Sequence, residues 1–166
     1  MGDQELIPIK KGGIKMYQKM LVPLDRSKVA ECILPHVKQV AGGCKSCEVI
    51  LLQVIETPPA WVMENDSIRE SHEAQKEISR EYLSKIQSQL VSGGINATIT
   101  TEVLVGHAPE TIIDFAQKKK VDIILMTTNV SSGISMLMIG SVADRVMRYS
   151  HIPVLMVRPA GAKKLK

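Results

Sequence analysis

Aromatic side chains are scarce in this sequence: one Trp, three Tyr and one Phe in 166 residues. A protein that binds nucleic acid by stacking bases on rings has little to build with here. The net charge of +4 does not alter that reading, because several lysines fall in two clusters. Lys118-Lys119-Lys120 ends a predicted helix, where cations complement the dipole. Lys163, Lys164 and Lys166 make a basic tail. Neither cluster forms a face with readout groups, so no nucleic acid is expected as a partner. Three cysteines are too few for a disulfide framework in a chain of this length. No apolar run approaches the ~20 residues that cross a bilayer. The first residues lack a signal-peptide core. Met1-Gly2 opens like a myristoylation site, but Leu6 stands where Ser or Thr is needed. No membrane is expected as a partner, and the chain reads as cytoplasmic. Catalytic constellations are missing as well. His36, His72, His107 and His151 are dispersed, no Ser occupies a nucleophile elbow, and no Ser-His-Asp or paired-carboxylate spacing occurs. The chain is expected not to be an enzyme.

What is present is Val, Ile, Leu and Met, with nine methionines. One domain of ordinary size can bury a core of these without staples. Residues 1–15, with Gly12-Gly13, read as a loose leader, 16–159 as the domain and 160–166 as the basic tail. Tyr17 to Leu24 is the first predicted strand. Ser27 is placed to cap a helix over Val29 to Val40, with Val29, Cys32, Ile33, Val37 and Val40 on one side. Pro35 inside that stretch predicts a kink or a later start. Gly42-Gly43 ends it. Cys47 to Ile55 is the second strand. After a loop through Trp61 and Asn65, a long helix runs from Ser67 to about Val91, with Ile68, Ala74, Ile78, Tyr82, Leu83, Ile86 and Leu90 along one side. Asn96 to Val105 alternates as an edge strand with one wet face. Pro109 suits the first turn of the next helix. Five strands and four helices in strict alternation predict a single doubly wound α/β domain, with a parallel sheet and helices on both faces. Periodicity does not give the strand order.

The most informative stretch is Val121 to Pro159. Its apolar run, Val121 to Met126, is broken only by Asp122 and reads as a strand buried on both faces. A polar loop leads to Gly140-Ser141, then a helix to Tyr149, then the strand Val154 to Val157. Ser141 with Asp144 three residues on reads as a capping-box variant. This order puts a helix N-terminus at the carboxyl end of a parallel strand, where N–H groups and the helix dipole attract anions. The alternative is an ordinary connection with a good cap and no ligand.

The segment MTTNVSSGISMLMIGSVADRVMRYSHIPVLMVR resembles the C-terminal signature of the universal stress protein family. KMLVPLDRSKVAE and CEVILLQVIE resemble its first two strands, and the likeness covers about residues 17–158. The resemblance implies the strand order 3-2-1-4-5. It implies an adenine nucleotide site in which Asp25 meets the adenosine part and Val54 holds adenine through its backbone. Pro23, Asp25, Val54, Met126, Thr127, Gly140, Ser141 and Val142 are the residues it implies for that site. Nucleotide-binding members carry Gly, two residues, Gly, nine residues, then Gly-Ser or Gly-Thr. Here Thr127 and Val130 replace the first two glycines, while Gly140 and Ser141 match. Side chains at Thr127 and Val130 occupy space that phosphates need, and a β-branched Val130 resists φ > 0. Thr127, Thr128 and Asn129 supply donors instead, and Ser131 and Ser132 with Gly140 and Ser141 keep part of an anion site. The chain thus resembles the branch lacking the complete glycine signature. The resemblance implies a homodimeric stress-response or signalling protein, paired through its C-terminal strand, with weak or absent adenine nucleotide binding. The alternatives are a binder of AMP or ATP with Mg²⁺ through a remodelled loop, and a nucleotide hydrolase, which lacks a visible base or metal cluster.

Cys44-Lys45-Ser46-Cys47 is a CxxC. Such a pair is redox-active when it opens a helix, or half a zinc site when four ligands assemble. This one follows a helix stop and runs into a strand, and no second CxxC or close His pair completes a site. Two unrelated turn cysteines and no metal are expected.

Overall fold

The computed structural model describes residues 17–44, 46–58, 66–128 and 140–159. The described elements, in chain order, are β1 (Lys19–Pro23), α1 (Lys28–Glu31), α2 (Leu34–Gly42), β2 (Cys47–Ile55), α3 (Asp66–Ser92), β3 (Ala97–Val105), α4 (Ala108–Lys118), β4 (Ile123–Thr127), α5 (Ser141–Tyr149) and β5 (Val154–Val157). The strands form a parallel sheet in the order β3-β2-β1-β4-β5. This is the order the family resemblance implied. None of the helices among the described residues is long and apolar enough to cross a membrane.

Alternation along each central strand divides the core in two. Val22, Val49, Leu51, Ile123 and Leu125 pack on one face with Ile33, Val37, Leu83, Ile86 and Leu90 of α2, α3 and the turn before α2. Leu21, Ile50, Leu52, Ile124 and Met126 pack on the other with Ile112 and Phe115 of α4 and Ala143 and Val146 of α5. Burying each Leu or Ile contributes about 1.5–3 kcal/mol. Asp122, which interrupts the apolar run before β4, has a structural task. Its Oδ2 accepts the N–H groups of Gln18 and Lys19 at 3.0 and 2.9 Å, fixing the start of β1.

Four sequence expectations need correction. The helix predicted over Val29 to Val40 is two helices, with Pro35 in the first turn of α2, where its missing N–H is harmless. That break leaves Cys32 exposed rather than on the buried side. In α3 the buried face runs through His72, Ser79, Leu83, Ile86 and Leu90, while Ile68, Ala74 and Ile78 are exposed. Ile78 lies five residues before Leu83, about 140° around the helix, and is 51% exposed. Gly140, not Ser141, occupies the N-cap of α5. Finally, Cys44 and Cys47 are joined in a disulfide. The Cys44 N–H bonds the Ala41 carbonyl at 3.0 Å as α2 ends. The resulting turn leaves the two Cα atoms 5.8 Å apart, within bridging range.

Candidate functional site

β1 lies between β2 and β4, and the chain leaves the carboxyl ends of β1 and β4 toward opposite faces of the sheet. A crevice forms where the connections diverge. Here it is a cavity of about 170 Å³. All eight residues named from the sequence line it. Pro23 and Asp25 come from the end of β1, Val54 from β2, Met126 and Thr127 from β4, and Gly140, Ser141 and Val142 from the start of α5. Sequence reasoning missed the rest of the wall: Leu24, Ser27, Val29, Ala30, Leu52, Ala108, Ile112 and Ala143. Leu52 was legible as a core strand residue. Ala108 and Ile112 carry no chemical signal, because only the packing of α4 under β1 and β2 brings them here.

The turn at Asp25 is built locally. Asp25 Oδ1 accepts the Ser27 N–H at 2.9 Å, and Ser27 Oγ accepts the Ala30 N–H at 3.0 Å as the N-cap of α1. Arg26 between them has φ 66°, a left-handed conformation that costs a non-glycine residue about 1–2 kcal/mol. The short α1 is held from outside by Tyr82 of α3, whose hydroxyl lies 3.4 Å from Glu31 Oε1. Burial, and then the Glu31 charge, pushes the Tyr82 pKa above its ordinary value, so it stays a donor.

Two longer helices present their N-termini to the cavity, and they differ. The Ala108 N–H at the start of α4 is taken by Glu56 Oε1 at 3.2 Å. At the start of α5 no side chain among the described residues caps the helix. The predicted capping box does not form, because Gly140 is the N-cap and Ser141 is already the first helical residue. Asp144 turns the other way: its carboxylate pairs with Arg148 at 2.8–2.9 Å, and its N–H bonds the Gly140 carbonyl at 2.9 Å. Gly140 has φ 93° and ψ 136°, a conformation that side chains rarely adopt, so glycine is required there. Ser141, Val142 and Ala143, the first residues of α5, line the cavity, and their N–H groups have no side-chain cap among the described residues.

An ion-pair cluster ties the two helices beside the cavity. Arg145 of α5 meets Glu110 of α4 at 2.8 Å, and His107, the N-cap of α4, bonds the other Glu110 oxygen. The His107 bond, with smaller help from the Arg145 charge, holds the Glu110 carboxyl below the usual carboxylate range. Thr128 does not line the cavity; its N–H extends the β4–β5 pairing to the Val157 carbonyl at 2.9 Å, and its Oγ1 is buried without a partner among the described residues. Val130, Asn129, Ser131 and Ser132, on which the loop expectations fell, lie outside the described residues, as do Trp61 and Asn65. Among the described residues no three His, Cys, Asp or Glu side chains group as metal ligands.

Comparison with known proteins agrees with this architecture. The model of the universal stress protein family matches residues 16–158. Universal stress protein MJ0531 of Methanocaldococcus jannaschii is 32% identical over 151 residues, covering 90% of this chain and 87% of the relative. The solved structure of MJ0577, from the same organism, superposes with a TM-score of 0.76 at 32% identity, over 88% of this chain and 99% of that one. The universal stress protein of Archaeoglobus fulgidus, solved in complex with dAMP, shares the fold at a TM-score of 0.56 and 24% identity, over 85% of this chain and 98% of that one. With its sheet order, its crevice and these likenesses, the chain belongs to the universal stress protein family.

Proposed function

We propose that the cavity takes an adenine nucleotide with a short phosphate tail, and that the protein works as a homodimeric stress-response or signalling protein through that ligand. One observation carries the ligand class: among the described residues no side chain bonds the first N–H groups of α5, which opens on an apolar cavity, while Glu56 takes the Ala108 N–H of the competing α4. A monophosphate fits the free N–H groups and dipole of α5. The apolar walls, Leu52, Val54, Met126 and Ala30, suit a flat base, and the Asp25 carboxylate suits the ribose hydroxyls. The family member solved with dAMP supports the same class of ligand. Thr127 lines the cavity in place of the family's first signature glycine, and its side chain limits room for a longer phosphate chain in this reading. Asp25 is the one carboxylate among the described lining residues, a poor magnesium cage, so any Mg²⁺ would arrive with the phosphates of ATP. That carboxylate serves the ribose here and not hydrolysis.

Titration calorimetry with adenosine, AMP, ADP and ATP tests the reading. AMP should bind at least about tenfold more tightly than adenosine, since one charged hydrogen bond contributes about 1.5–3 kcal/mol. ATP should gain nothing over AMP, and no phosphate should be released over hours. Failure of AMP to bind sinks the proposal, and a strong preference for ATP would show that the loop after Thr128 supplies donors of its own.

A further inference from the structure

We propose that Cys44 and Cys47 form a reversible thiol–disulfide site at the amino edge of the sheet, separate from the nucleotide cavity. The separation follows from the strand itself. Cys47 begins β2, and the cavity-lining Leu52 and Val54 lie five and seven residues further on, roughly 15–25 Å away. The fold does not need the bond. It closes a ring around two residues, and the packed faces of the sheet supply the core. What the site offers is a place for each form. Cys47 is 2% exposed, and a released thiol is stable at such depth as a small apolar group with a weak S–H donor. The Tyr17 carbonyl oxygen supplies an acceptor, 3.5 Å from Cys47 Sγ. Cys44, 8% exposed, is the more accessible partner.

Reduction by a small dithiol then has a defined course. A thiolate of the reductant attacks Cys44 Sγ, the Cys44–Cys47 bond breaks, and Cys47 leaves with the electron pair, takes a proton and donates to Tyr17. The second thiolate of the reductant displaces Cys44 from the mixed disulfide. Two electrons and two protons end on the cysteines, and the reductant leaves as a cyclic disulfide. Cys44 follows the C-terminus of α2, where the dipole disfavours a thiolate. That placement is opposite to a disulfide oxidoreductase, so the pair acts stoichiometrically and does not turn over substrates. Tyr17 leads directly into the central strand, through the Gln18 and Lys19 N–H groups held by Asp122.

Cys32 is a free, exposed thiol and serves as an internal standard. The native full chain is equilibrated in mixtures of reduced and oxidised dithiothreitol, quenched in acid, unfolded, labelled with N-ethylmaleimide and weighed intact. A one-label species should give way to a three-label species as the mixture becomes reducing, and return when it is reversed. Cys44→Ala should carry two labels in every mixture. Three labels on the natural chain in the most oxidising mixture would overturn the proposal, because no bond then forms. One label in the most reducing mixture, rising to three only when reductant is added with denaturant, would equally overturn it, because the bond is then sealed and permanent.

Discussion

Asp25 carries two duties that a single substitution can separate. Its Oδ1 holds the turn through the Ser27 N–H, while the residue also lines the cavity. Asp25→Asn keeps an oxygen acceptor for Ser27 and removes the charge. It should leave the urea midpoint nearly unchanged while weakening AMP several-fold in calorimetry. Asp25→Ala removes the acceptor too and should cost roughly 0.5–2 kcal/mol of stability, the range for losing such a side-chain-to-backbone bond at a helix entrance. Equal stability losses in both variants, with unaltered binding, would leave Asp25 a turn residue only. At this scale the sequence was partly readable. Asp after a strand is a turn residue by composition, and the crevice role came with the family resemblance. The left-handed Arg26 between Asp25 and Ser27 was not readable, because no side-chain preference marks an Arg for positive φ.

At the scale of elements, the pairing of α4 with α5 decides how α5 meets the cavity. Glu110 joins them through Arg145, and its pKa lies below the ordinary value because His107 bonds it and Arg145 stands near. A carboxyl lowered in the folded state contributes stability above its unfolded pKa, and the contribution is lost as pH falls through the folded one. The side chains are half exposed, so the effect is small and screened by salt. Urea midpoints followed from neutral to acid pH should decline on this limb, and Glu110→Gln should flatten part of the decline. An acid limb identical in the variant would remove Glu110 from the account. The α5 cap shows why sequence spacing misled. Ser141 and Asp144 have capping-box spacing, but Gly140 takes the cap position and Arg148, one turn beyond Asp144, claims its carboxylate.

For the whole molecule, β5 is the open edge next to β4, and Val154 to Val157 are only half buried in one chain. An exposed strand edge with apolar side chains invites a second strand. A second copy pairing antiparallel through β5 would cover it, giving the proposed homodimer. Sedimentation should give a dimer at micromolar concentration, and Leu155→Lys should shift it toward monomer. A monomer for the natural chain at that concentration would dispose of the dimer.

The sequence by itself determined the alternation of strands and helices, the two-faced strands and the Ser27 cap, while the short list of residues at the carboxyl edge came with the family resemblance. Each of the first three depends on neighbours within a few positions, where periodicity and turn chemistry act. The strand order came from resemblance, since parallel strands joined by helices leave order open to any right-handed crossover. Only the tertiary structure decided that Glu56 takes an N–H at the start of α4, that Ala108 and Ile112 join the cavity wall, and that the turn after α2 joins Cys44 to Cys47. The first two bring together residues more than 50 positions apart in the chain, Glu56 with Ala108 through a hydrogen bond and Pro23 with Ile112 as walls of one cavity. The third depends on how α2 ends against β2, a geometry that sequence spacing leaves open until the sheet has formed.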